Sequence, residues 1–174
     1  LSARYDLGQG YSAKASYTCM AQYVHLLSST PLSMPTDLWV PITKDISPMY
    51  ANQFSIGGYY SGLPGWEFSV EGYYKQMKHI LEYQDGVSFF GTSTNWEEKV
   101  EMGEGRSFGL ELMAQKTLGK TTGWLAYTLS KTDHRFKSGT INQGRWFPYK
   151  YDRRHSISLN LSHKFSDRID AGAS

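Results

Sequence analysis

A single cysteine, Cys19, stands in 174 residues, which excludes an internal disulfide and any cysteine-based zinc knuckle. No run of about 18 apolar residues exists, so no helix can cross a membrane. Neither sign of charge dominates: 18 Lys and Arg face 16 Asp and Glu, a net charge of +2. That balance implies no polyanion partner, and no nucleic acid is expected. The start, Leu1-Ser2-Ala3-Arg4-Tyr5, has neither the charged opening nor the apolar middle of a signal peptide. Aliphatic content is modest, against the Ala, Leu, Glu and Lys bias of a helical bundle. Aromatics are plentiful at 15%, with 13 Tyr, 8 Phe and 5 Trp, which argues against disorder. Mean hydropathy is −0.49, an ordinary value for a soluble protein. A transmembrane β-barrel escapes that test, because its strands alternate lipid-facing and lumen-facing residues.

Period-2 alternation recurs along the chain and predicts strands with two unlike faces. It is clearest over 154–165, where His155, Ile157, Leu159, Leu161 and Phe165 oppose Ser156, Ser158, Asn160, Ser162 and Lys164. Similar patterns cover 12–27, 50–61, 66–83, 106–117 and 121–131, and a seventh strand begins at Arg168. Tight turns at 62–65, 118–121 and 166–168 alternate with long connections at 28–49, 85–105 and 132–151. Such alternation is the habit of outer-membrane barrels, whereas long structureless loops are uncommon in compact soluble domains. The expected fold is therefore all-β: an antiparallel up-and-down meander of about six to seven strands, a fragment of a large transmembrane β-barrel. Six strands cannot close such a barrel, and the chain ends in Ala171-Gly172-Ala173-Ser174, mid-strand. One partial barrel domain over 1–174 is expected, without a plug or signal peptide.

The chemistry-bearing residues are dispersed. His25, His79, His134, His155 and His163 show no metal-ligand spacing, and no metal or cofactor is expected. There is no nucleophile elbow and no phosphate-binding glycine loop, so no enzyme is expected. Glu67, Glu71, Lys75, Glu111 and Arg154 alternate onto the polar face. They fit either contact with something held in the lumen or an ordinary hydrated wall. Asp152-Arg153-Arg154-His155 opens a strand and reads as a structural element of the rim. The long connections carry Trp39, Phe89, Phe90, Trp96 and Trp146 as candidates for stacking on a ligand, or for packing loops together. Glu97–Glu101 reads as a solvated strand extension.

Several segments in order are similar to a known family. Met34-Pro35-Thr36-Asp37-Leu38-Trp39-Val40-Pro41 is followed by Ala51-Asn52-Gln53-Phe54-Ser55-Ile56-Gly57-Gly58-Tyr59-Tyr60. Then come Ser69–Lys75, Gly109–Leu112, Gly123–Lys131 and Phe147–His155. Their order resembles the C-terminal part of the barrel of TonB-dependent receptors, in the subgroup with an N-terminal carboxypeptidase-regulatory-like domain. The resemblance implies a cell outer-membrane transporter of a large or scarce nutrient, with this chain as barrel wall and outer loops. It implies outer-membrane lipid around the barrel and a TonB-type coupling protein acting through the plug. A surface lipoprotein is a further partner it allows. The rival expectation is a soluble β-sandwich that binds a ligand such as carbohydrate through Trp39, Trp96 and Trp146. The two differ in one respect: a sandwich packs its apolar faces together, and a barrel piece turns them outward.

Overall fold

The computed structural model describes residues 1–27, 38–84 and 96–174. Its strands are β1 (Ser2–Gly8), β2 (Tyr11–Gln22), β3 (Val24–Leu27), β4 (Leu38–Pro41), β5 (Met49–Tyr60) and β6 (Trp66–Tyr83). After a 3-10 turn at Trp96–Lys99 come β7 (Val100–Lys116), β8 (Thr121–Arg135), β9 (Phe147–Pro148), β10 (His155–Ser166) and β11 (Ile169–Ala173). One sheet runs in the order β1-β2-β5-β6-β7-β8-β10-β11, with β9 added beside β8. Every described pairing is antiparallel. β3 and β4 form a separate hairpin. The expected meander is present, and β1 and β11 lie at the two edges of an unclosed wall.

Four expectations need correction. The strand expected over 12–27 is divided at Tyr23 into β2 and β3. β1 was not foreseen; it pairs with β2 across a turn in which Gly8, Gln9 and Gly10 all have positive φ. The long connections are also shorter than expected, because β4 and β9 lie inside them and β7 and β8 extend into them. Trp96–Lys99 is a 3-10 turn with Lys99 and Val100 buried, not a solvated strand extension. Val100 joins an apolar cluster there, which withdraws this segment from water.

Register gives each face its character. Tyr5, Ala13, Gly58, Val70, Leu112, Tyr127 and Ile157 are successive partners across the wall. Side chains in such a row share a face. Parallel rows on this face carry Tyr11, Tyr60, Phe68, Leu125 and Leu159, and Ile56, Leu110 and Leu129. Most of these side chains are exposed, Ile157 at 71%, with Tyr60 and Tyr127 half-buried. No second sheet covers them among the described residues, so the apolar faces do not form the core of a sandwich. Along β6 the apolar stretch runs from Trp66 to Tyr74, about nine residues, close to what a tilted strand needs to cross a bilayer. Aromatics edge it at the short-turn end, where Tyr60 and Trp66 flank Phe68 at 6.5 and 5.6 Å between centroids. At the other end Tyr17 lies 4.7 Å from Phe54. Such girdles suit the two membrane–water boundaries.

Burial is concentrated at the long-connection end. Leu27, Val40, Ile46, Leu81 and Val100 form one cluster, and Ile80, Phe136 and Ile141 another. Glycine makes the second possible. A Cβ on Gly103 would lie 2.5 Å from the Phe136 ring, so only glycine leaves room for this fully buried side chain. β6 changes alternation here: His79, at φ 59°, is an extra residue between Lys78 and Ile80 in the pairing with β7. The bulge places Ile80 and Leu81 in different clusters.

Candidate functional site: the polar wall and its outer rim

The face opposite the apolar belt carries a transverse polar row. Arg4, Lys14, Gly57, Glu71, Glu111, Thr128 and Ser156 are successive register partners. Cations therefore occupy one end, carboxylates the middle and hydroxyls the other end. Glu71 and Glu111 are directly opposite, an arrangement that like charges disfavour unless solvent or a donor intervenes. The Tyr59 hydroxyl supplies one donor, at 2.8 Å from Glu71 Oε2. Gly57 leaves space for this arrangement: its Cβ would meet Glu71 Oε2 at 3.3 Å. Glu67 lies opposite Gln115 and Lys75 opposite Ser107, on the same face. A cleft of about 320 Å³ near the short turns is lined by Arg4, Lys14, Tyr59, Glu67 and Ser69. Arg154 lies just before β10; its guanidinium is 3.6 Å from Asp152.

Toward the long connections the polar face ends in a second cleft, of about 260 Å³, lined by His25, Met49, Met77, Glu82, His134 and Tyr149 among others. His134 Nδ1 donates to Glu82 Oε1 at 3.2 Å, and the imidazole stacks on Tyr149 at 4.2 Å. Burial, with the Glu82 charge nearby, pushes the Tyr149 hydroxyl above its ordinary pKa. Burial likewise holds His25 below its ordinary pKa, against the opposing effect of its 3.2 Å bond to the Ser47 carbonyl. Sequence spacing held no hint of this group, because His25, Glu82 and His134 meet only through the topology. Among the described residues no group of three or more His, Cys, Asp or Glu could hold a metal ion.

A charged cluster borders the apolar belt. Arg106 donates to Asp133 Oδ2 through Nε and Nη2 at 3.2 and 3.1 Å, and Lys131 Nζ lies 3.3 Å from the same oxygen. Asp133 is 2% exposed, so it is compensated on two sides as a buried charge requires. Arg135 pairs with Glu104 through Nε at 2.7 Å, with Lys137 3.5 Å from that carboxylate. Burial alone would raise the Glu104 pKa; the Arg135 and Lys137 charges outweigh it and hold the carboxyl below its ordinary value.

The aromatic candidates do not form one platform. Trp39 is 62% exposed on β4, while its neighbour Val40 points into the first cluster. Trp96 packs against that same cluster. Trp146 lies under the Arg106 and Arg135 guanidinia, 4.3 and 4.7 Å from its ring centroid. Its face is thus engaged by two cations. Phe89 and Phe90 lie outside the described residues.

Residues 1–173 match the model of a protein family described as TonB dependent receptor-like, beta-barrel. No curated protein and no solved structure matches the chain.

Proposed function

Because this chain belongs to the TonB-dependent receptor-like β-barrel family, we propose that it forms wall and outer loops of a transporter for a large or scarce nutrient. Members of the family are outer-membrane transporters rather than enzymes, and work with TonB. In our reading the chain is the C-terminal part of the barrel in the subgroup with an N-terminal carboxypeptidase-regulatory-like domain. The apolar face meets lipid. Glu67, Glu71, Lys75 and Glu111 face a plug across a hydrated lumen, and Arg154 lies at its rim. Trp39 and Trp96, with Phe89 and Phe90, serve the outer loops that meet substrate, where a surface lipoprotein could also dock. Trp146 contributes by holding the rim in shape.

One observation carries this reading: a single unclosed sheet exposes a belt of apolar rows on one face and a charged row on the other. In water such a belt would be costly. About ten exposed side chains at ~100 Å² each amount to ~25 kcal/mol of unfavourable apolar contact. Lipid removes that cost. The test is assembly in the outer membrane. Leu159→Arg should impair insertion by about 2–4 kcal/mol if near the midplane, whereas Ser158→Arg, one residue away on the other face, should assemble far better. Equal tolerance of the two would contradict the assignment.

A further inference from the structure

Two cations of the polar face stand side by side without a counterion. Arg4 and Lys14 are direct register partners on β1 and β2. Like charges so placed destabilise a strand pair. No ion pair among the described residues includes either of them. Arg4 Nη2 donates to Ser12 Oγ at 3.1 Å, which is a neutral acceptor.

The carboxylates of the same face do not answer them. Glu71 follows Lys14 in the transverse row, with Gly57 between them. It leans over that glycine, whose Cβ would stand 3.3 Å from its Oε2, yet it takes the Tyr59 hydroxyl and not Lys14. Asp6, on the same face of β1, accepts the Gly8 amide at 2.9 Å. The wall thus holds Lys14 and Glu71 apart by two strand spacings, about 10 Å. Segregated charge of this kind recognises a complementary surface.

Arg4 and Lys14 line the 320 Å³ cleft near the short turns, together with Tyr59, Ser61, Glu67 and Ser69. Its charged groups are two cations and one carboxylate, a surplus of one positive charge. A single carboxylate balances that surplus and matches the donors of a guanidinium. A phosphate dianion would exceed it and face Glu67. The volume is at the lower end for small-molecule sites, so the cleft fits a side chain and not a large nutrient.

We propose that Arg4 and Lys14 anchor a carboxylate side chain of the polypeptide held in the lumen. The inference rests on the reading that the polar face surrounds a plug. The segment that crosses the wall here presents its Asp or Glu to β1 and β2, and keeps carboxylates away from Glu71 and Glu111, about 10 Å further on.

The experiment uses the whole receptor that contains this chain. Lys14→benzoylphenylalanine supplies a photo-cross-linker, and the captured peptide is identified by mass spectrometry. It should be a plug segment, attached beside an Asp or Glu. Arg4→Glu and Lys14→Glu should each quicken plug release in urea about tenfold, read as channel opening in planar bilayers. Lys14→Arg, which keeps the charge, should release as wild type does. Reversing the captured acid to Lys should restore slow release in Lys14→Glu. Heat-modifiable mobility on gels selects variants with a folded barrel, and the cross-link needs no charge reversal. Capture of a neighbouring barrel strand or of no peptide, release unchanged by both reversals, or no rescue by the swapped pair would each overturn the anchor. So would Lys14→Glu weakening nutrient binding with plug release unchanged, which assigns the cations to the cargo. Leu159→Arg and Ser158→Arg separate this failure from that of the underlying reading. If only the former blocks assembly while no plug peptide is captured, the anchor alone falls. If both are tolerated, the membrane assignment falls with it.

Discussion

The same three strands, β6, β7 and β8, pass through two regions built on opposite principles. Between the short turns and the Tyr74–Phe108 row they have no core: their apolar side chains point away from the sheet into open surroundings. Beyond that row they carry two apolar clusters and a compensated charge cluster, and bury Phe136 completely. A strand wall in lipid takes its stabilisation from the bilayer and from backbone pairing. A rim in water must bury side chains against one another. Identical backbone architecture thus serves two solvents, and the side-chain pattern records where the boundary lies.

That comparison is sharpened first by Phe136→Ala. Removing a fully buried ring should cost about 3–5 kcal/mol of rim stability, read as earlier proteolysis of the rim in the assembled receptor. The belt should remain assembled, because the two regions draw on different solvents. Asp133→Asn should cost less, about 1–3 kcal/mol by the same readout, since it leaves Arg106 and Lys131 without their shared carboxylate.

A pH dependence confined to the rim comes next. His25 has a folded pKa below its unfolded value of 6.5, so its contribution is fully present above 6.5. It is lost as pH falls from 6.5 toward the folded value, because the unfolded state then binds the proton more readily. Hydrogen exchange in β3 and β4 should therefore quicken below 6.5, and His25→Gln should blunt that change. Glu104 behaves similarly at lower pH: its stabilisation holds above the ordinary carboxyl range and fades as acid protonates it. The smallest effect is expected for Trp39→Ala. At 62% exposure it should change rim stability by no more than about 0.5 kcal/mol, while nutrient uptake reports whether the side chain meets substrate.

Legibility in the sequence followed the same division. Ile157, Leu159 and Leu161 announced their face because a wall strand in lipid has one strict rule, alternation, with no tertiary exceptions. β1 escaped because it is short and its turn depends on positive φ at Gly8, Gln9 and Gly10, which no hydrophobic period signals. In the rim, alternation fails for physical reasons. The His79 bulge shifts the faces of Ile80 and Leu81, and Gly103 and Gly105 interrupt the pattern at the start of β7. The choice for Trp146 between stacking on a ligand and packing loops together was not legible, because the guanidinia over it come from residues 106 and 135, on strands distant in sequence. The His134–Glu82 pair likewise joins distant strands. The Glu71–Glu111 juxtaposition depended on register, which period alone does not supply.

The central claim is that one face of this wall meets lipid and the other water, strand after strand. Spin labels placed singly from Ser156 to Leu161 of β10, in the assembled receptor with Cys19 replaced, test it most directly. Collision with oxygen, which partitions into lipid, should peak at Ile157, Leu159 and Leu161. Collision with a water-soluble nickel chelate should peak at Ser156, Ser158 and Asn160. An inverted pattern, or accessibility without period 2, would contradict the account.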